Sequence, residues 1–249
     1  MSVFAHQLRS EQRVFWRSRE AAFFIFFFPL LLFLLLGSVY NGTIYGVPAP
    51  RALLAGLIGY GCANTAFAGV AIQLVIRREN GILKRLRATP LPAPVYVAAH
   101  LGSTVIVFAL QTAALFVLGR ILYSTPFPGS DTGSLVLAIV YGAVVFAALG
   151  VATASFIRSA EGSSAVVNFI LLPMAFLTGS FGPTRHYPTV LQDIGDVLPL
   201  KYFIDIVNAV YLHHRDLWSQ PKALAVLAVW GATGLVVSAL KFRWEPREG

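Results

Sequence analysis

A chain of 249 residues that is 57% hydrophobic and only 12% charged lacks the polar surface that water requires of a soluble domain, since such domains carry about a quarter charged residues. Its net charge of +8, from 19 Lys+Arg against 11 Asp+Glu, would point to nucleic acid in a soluble protein. Here the basic residues gather at the ends of apolar runs, the pattern of membrane orientation, and nucleic acid is not expected as a partner.

In Ser2–Arg19, Phe4, Leu8 and Phe15 fall on one helical face, with Arg9, Arg13 and Arg17 on the opposite side. Residues 1–20 are therefore expected to form an amphipathic helix on the membrane surface. Ala21–Tyr40 is an uncharged first span; it starts too late for a removable signal peptide. Pro29 is expected to bend it, which neighbouring helices tolerate. Asn41–Arg51 reads as an outer loop. Its Asn41-Gly42-Thr43 matches a glycosylation pattern but lies too close to the bilayer for a good acceptor.

Ala52–Ile76 is the second span, with small residues at Gly56, Gly59, Gly61 and Ala63 that let helix backbones approach. It also holds the single cysteine, Cys62, which excludes an intrachain disulfide and a cysteine metal cluster. A basic island, Arg77–Pro94, follows. The third span lies in Val95–Leu122, and Tyr123–Gly133 is an outer loop. Ser134–Ile157 is the fourth span, Arg158–Ser164 a tight inner turn, and Ala165–Phe181 a shorter fifth span interrupted by Pro173. Residues 182–221 hold two apolar-periodic pieces too short or too polar to span, expected as short re-entrant helices in the outer leaflet. Lys222–Leu240 is the sixth span and Lys241–Gly249 a basic tail. Of the 19 basic residues, 13 fall on inner segments under this topology, which favours six spans with both termini cytoplasmic. The fold class is thus an all-α membrane protein in one transmembrane domain.

The chain carries no GxxxxGK[S/T] phosphate loop, no HExxH and no GxSxG, so no catalytic residue and no metal site is assigned. His213 and His214 are adjacent, and neighbours on a helix point apart and converge poorly on a metal. Asp193, Asp196 and Asp205 are spaced as a helix surface with nothing to orient them for acid–base work. No span carries a charge near its middle, which argues against an ion- or proton-driven transporter. The mid-span polar groups are Asn64, Thr65, Gln111, Thr112 and Asn168. They read first as hydrogen bonds between helices; a substrate path through Asn64, Gln111 and Asn168 is the functional alternative.

Within the island, residues 77–94, Ile82, Leu83 and Leu86 share one face while Lys84, Arg85 and Arg87 project elsewhere. Thr89-Pro90 stops the helix, because the residue before proline disfavours helical geometry. A two-turn helix with an apolar ridge and a charged rim suits docking into a groove on another protein.

Two stretches then carry a resemblance. Arg78–Pro92, R-E-N-G-I-L-K-R-L-R-A-T-P-L-P, is similar to the Glu-x-Gly-x-Leu-x-x-Leu-x-x-Thr-Pro loop of type-2 ABC exporter permeases, matching at Glu79, Gly81, Leu83, Leu86, Thr89 and Pro90. Phe176–Pro183 and Leu198–Asp205 resemble the family's Leu-x-Gly-x-x-x-Pro end of the fifth span and its Pro-Leu-x-Tyr element. His100 departs from the lysine that many relatives place at the start of the third span. The resemblance implies a dimer of permease subunits, homo- or heterodimeric, with separate nucleotide-binding subunits that hold the ATP and Mg. This chain would itself bind no cofactor. It implies coupling contacts at Glu79, Gly81, Ile82, Leu83, Arg85 and Leu86, and an outer gate at Phe181, Pro183, Pro199 and Tyr202. It also implies outward movement of an amphipathic drug or lipid across a bacterial inner membrane. A six-span scaffold that recruits another cytoplasmic protein through the basic loop is the competing reading; an enzyme acting on lipid would need convergent polar residues at one depth.

Overall fold

The computed structural model describes residues 2–40, 42–44 and 46–242. Residue 41 of the glycosylation pattern and most of the basic tail lie outside them. Among the described residues, six helical stretches are long and apolar enough to cross a bilayer. They are α2 (Arg19–Val39), a continuous stretch built from α3 (Ala49–Cys62), a π-helical segment (Ala63–Gly69) and α4 (Val70–Glu79), then α6 (Ala93–Tyr123), α7 (Thr132–Ala154), α8 (Ala160–Leu177) and α11 (Pro221–Lys241). The shorter helices are α1 (Val3–Arg17), α5 (Ile82–Arg87), α9 (Thr189–Val197) and α10 (Pro199–Tyr211). The described strands are a two-residue antiparallel pair, β1 (Thr43–Ile44) and β2 (Val47–Pro48). The chain is an all-α, multi-pass membrane protein.

Local chemistry sets the helix ends. Pro50, Pro94, Pro199 and Pro221 sit in the first turns of α3, α6, α10 and α11, where the missing N–H would have had no partner anyway. Ser2 caps α1, its hydroxyl accepting from the Ala5 N–H at 3.3 Å. Ser159 caps α8, accepting from the Gly162 N–H at 3.4 Å.

Two expected boundaries are corrected. Residues 160–164 are the first turn of α8 and not part of a turn between spans, because Ser159 and Glu161 suit a helix start. Likewise Arg77, Arg78 and Glu79 belong to α4 and not to a loop. The break falls at Gly81, whose φ of 67° is left-handed, a conformation that favours glycine. Pro29 and Pro173 lie inside unbroken helices.

The α3–α4 stretch is the axis of the bundle. Its most apolar part is 89% buried, against 22% for α2 and for α11. Exposed Phe23, Phe24 and Phe169 on the outer helices face what the composition makes a lipid solvent. We call the end carrying α1 and α5 basal and the opposite end distal. At the distal end α9 and α10 form a hairpin that penetrates the bundle. Trp230, midway along α11, donates from Nε1 to the Val197 carbonyl at 3.2 Å. The Phe203 ring lies 6.4 Å from Phe108, the midpoint of α6, and 6.0 Å from Phe146 on α7. The hairpin apex therefore sits at mid-span depth. Phe203, Ile206, Val207 and Val210 on α10 are all fully enclosed.

Candidate functional site

Three consecutive residues at the basal end of α4 tie together four other helices. Successive side chains on an α-helix splay by about 100°, so Arg77, Arg78 and Glu79 point three ways. Arg77 grips Glu11 of α1 with both guanidinium nitrogens, at 3.1 and 2.8 Å, and donates to the Tyr96 hydroxyl of α6 at 2.8 Å. Arg78 donates to the Ala154 carbonyl at 3.1 Å and to that of Ile157. It thereby satisfies the last carbonyl of α7, where a cation also suits the helix dipole, and one in the turn beyond. Glu79 accepts from the Ala160 N–H at the opposite pole, the first turn of α8. The α7–α8 turn is thus held at both ends by adjacent side chains.

This hub is buried. Arg77 is 9% exposed, Arg78 2% and Glu11 6%, whereas the sequence placed the first two in a polar loop. A buried cation needs a geometrically matched anion, and the fork of Arg77 supplies that match. Glu11 also receives Gln7 Nε2 at 3.0 Å and His100 Nδ1 at 3.0 Å. Burial alone would push the Glu11 carboxyl up. The His100 and Arg77 hydrogen bonds outweigh it and hold the group at about 2. Against a carboxylate, His100 donates from Nδ1 whether the ring is neutral or charged, so this contact does not need the fixed charge of a lysine.

A pH dependence follows. With its ordinary value at 4.5 and its folded value at about 2, Glu11 contributes stability that is fully present above about pH 4.5. That contribution is lost as pH falls through about 2. Acid titration monitored by proteolysis within residues 17–20 is expected to show α1 releasing over that range. Glu11→Gln is expected to have lost the attachment already at neutral pH.

Beyond Gly81, α5 divides the expected apolar ridge. Leu83 is fully buried and anchors the helix to the body, while Ile82 stays 37% exposed and Leu86 half-buried. Lys84 and Arg85 are exposed, and Arg85 donates to the Asn80 carbonyl at 3.1 Å. The surface that α5 offers outward is therefore Ile82 and Leu86 with their basic neighbours.

The expected substrate-path residues sit in three different settings. Gln111 is fully enclosed; it accepts from Thr65 Oγ1 at 3.0 Å and donates to the Ile25 carbonyl at 2.7 Å. It pins the π segment to α6 and α2, the hydrogen-bonding role between helices. Asn64 is half-buried on the π segment and Asn168 is exposed on α8. Of the expected gate residues, Pro199 and Tyr202 lie on the hairpin, and Phe181 and Pro183 in the loop before it. Phe181 packs 5.2 Å from Tyr60 and 4.8 Å from Phe176, ring to ring. Pro199 is buried at the apex, Pro183 is half-buried, and the Tyr202 hydroxyl donates to the Asp196 carbonyl at 2.7 Å. His213 and His214 part company, with His214 Nδ1 2.5 Å from Asp131.

Between the hairpin, α3 and the end of α8 lies a cavity of about 650 Å³, large enough for a small organic ligand. Asp196, Lys201, Asp205, Asn208, Arg185 and Arg215 line it. None of the six spans puts a charge at mid-depth, but the hairpin carries Asp196 and Lys201 there. Their adjacency to prolines and short length hid this from a span-by-span reading.

A bundle of six candidate spans, with a buried ionic hub beside a short basal helix and a polar cavity at the other end, defines a transport-type membrane protein with no nucleotide-binding motif of its own. The chain belongs to the ABC-2 type transporter family, whose model matches residues 4–212. It is 25% identical over 210 residues to the putative transport permease YvfS of Bacillus subtilis, covering 82% of this chain and 83% of that one. It is 24% identical over 189 residues to the inner membrane transport permease YadH of Escherichia coli, 75% of this chain and 73% of the relative. The probable multidrug ABC transporter permease YbhR of Escherichia coli is 24% identical over 160 residues; these cover 63% of this chain and 43% of YbhR.

Proposed function

We propose that this chain is the transmembrane subunit of an ATP-driven exporter, paired with a second permease subunit and with nucleotide-binding subunits that carry ATP and Mg. Its basal end, with both termini, faces the cytoplasm of a bacterial inner membrane, and its cargo is an amphipathic drug-like compound or lipid. The observation that carries this reading is the position of the hub, immediately before α5. A force applied to Ile82 and Leu86 acts through Arg77–Glu79 on α1, α6, α7 and α8 at once. ATP biases such a rigid-body switch by binding the partner's closed state more tightly than its open one. The hairpin and Phe181 then close or open the distal path.

The test separates docking from folding. Ile82→Asp and Leu86→Asp are expected to leave the protein inserted while the co-purifying ATPase falls by about tenfold, the effect of removing an apolar anchor from an interface. Leu83→Asp, which buries an unpaired charge, is expected to lower the yield of folded permease itself. Affinity purification from native membranes, with ATPase assay of the eluate against a panel of drugs and lipids, reads all three. An undiminished ATPase in both surface variants overturns the coupling role of α5, and a reproducible non-ATPase partner in its place favours a scaffold.

A further inference from the structure

The distal cavity has a chemical polarity of its own. At its floor Lys201 is already committed, its ammonium paired with the Asp196 carboxylate. Asp205, one turn further along α10, accepts no hydrogen bond among the described residues and stays half-buried. Three residues on, Asn208 Oδ1 is buried without a donor. Two acceptors spaced i, i+3 share one helix face, and both line the cavity. A buried acceptor without a donor costs stability, so the pair is suited to a group with several N–H bonds and a positive charge. Arg215 is exposed at the mouth. Its backbone N–H binds the Ala209 carbonyl at 3.0 Å, about 6 Å further out along α10 than Asp205.

We infer that this cavity binds a zwitterion, its primary ammonium held by Asp205 and Asn208 at depth and its phosphate or carboxylate held by Arg215 toward the mouth. The inference rests on the exporter reading only in calling the ligand a cargo; the binding itself needs neither ATP nor a partner. An aminophosphate of this kind could be a lipid headgroup or a free small molecule, and the two sources are separable.

The experiment uses the full-length chain purified in a maltoside. Four probes are titrated by ligand-induced thermal stabilisation: lysophosphatidylethanolamine, soluble phosphoethanolamine, glycerol phosphate and dodecylamine. Wild type is expected to bind the first probe more tightly than the last two by about tenfold or more, the gain from a second charged contact. Equal binding of phosphoethanolamine assigns a free zwitterion, and its weakness assigns a lipid. Asp205→Asn is expected to weaken the ammonium-bearing probes and spare glycerol phosphate. Arg215→Gln, an exposed position that does not threaten folding, is expected to do the reverse for dodecylamine and glycerol phosphate. Asp205→Glu is expected to keep measurable zwitterion binding, separating chemistry from misfolding. If the four probes bind alike, or if neither Asp205→Asn nor Arg215→Gln discriminates among them, the assignment is wrong. A co-purifying ATPase in that case would leave the exporter reading standing.

Discussion

Methionine in place of Arg77 is expected to destabilise the protein by about 3–5 kcal/mol, because it strands a buried carboxylate that has lost its bidentate partner. Glu11 is 6% exposed, and Gln7 and His100 alone would face it. Adding Glu11→Leu to the methionine variant is expected to recover at least half of that loss, since removing both ions also removes their desolvation penalty. Arg77→Lys should fall between, as an ammonium cannot reproduce the two-pronged contact and the reach to Tyr96 together. Thermal unfolding of the purified variants measures the series. A single mutant as stable as wild type, or a double mutant no better than the single, would show that the ion pair does not hold α1 to the bundle.

The second large effect is expected at Gly142. A Cβ built there meets Phe203 Cε2 at 2.3 Å, a distance real structures do not tolerate, so the α10 ring sits where any side chain would be. Gly142→Val is expected to lift the hairpin apex out of the bundle at a cost of about 1–3 kcal/mol. The same substitution combined with Phe203→Ala should let the apex return, because the small side chain vacates the space. A cysteine introduced at fully buried Leu200 reports the movement through labelling by a membrane-impermeant maleimide, with buried native Cys62 as the internal control. Unchanged labelling in Gly142→Val would refute the close seating of α10 on α7.

Much of the architecture was readable because its physics is local. Apolar runs, uncharged over the length a bilayer demands, marked the six spans. Prolines and Gly81 marked where helices start and stop. The period of Ile82, Leu83 and Leu86 marked α5, although not which of the three turns inward. That depends on the rest of the bundle, and Leu83 is the one it buries. The hub was harder. Consecutive charges at the end of an apolar run read as surface, and only one residue contradicted this. Glu11 falls between Leu8 and Phe15 on the apolar side of α1, an acid where none belongs unless a cation meets it. The hairpin's depth was harder still, since α9 and α10 are too short to announce themselves as intramembrane. Their seat is made by long-range partners, Trp230, Gly142 and Phe108.

The π-helical stretch at Ala63–Gly69 has a bearing on how the central span is to be altered. With more residues per turn than its neighbours, it offsets α4 from α3 by about the angle of a single residue. The half of the span that seats the hairpin and the half that carries Arg77–Glu79 are therefore phased separately, like two rulers joined out of step. Counting in 3.6s from Gly59 does not reach Arg77. An inserted or deleted residue within these seven positions changes the joint alone, whereas the same change at Val70 or beyond rotates all three grips of the hub onto the wrong helices.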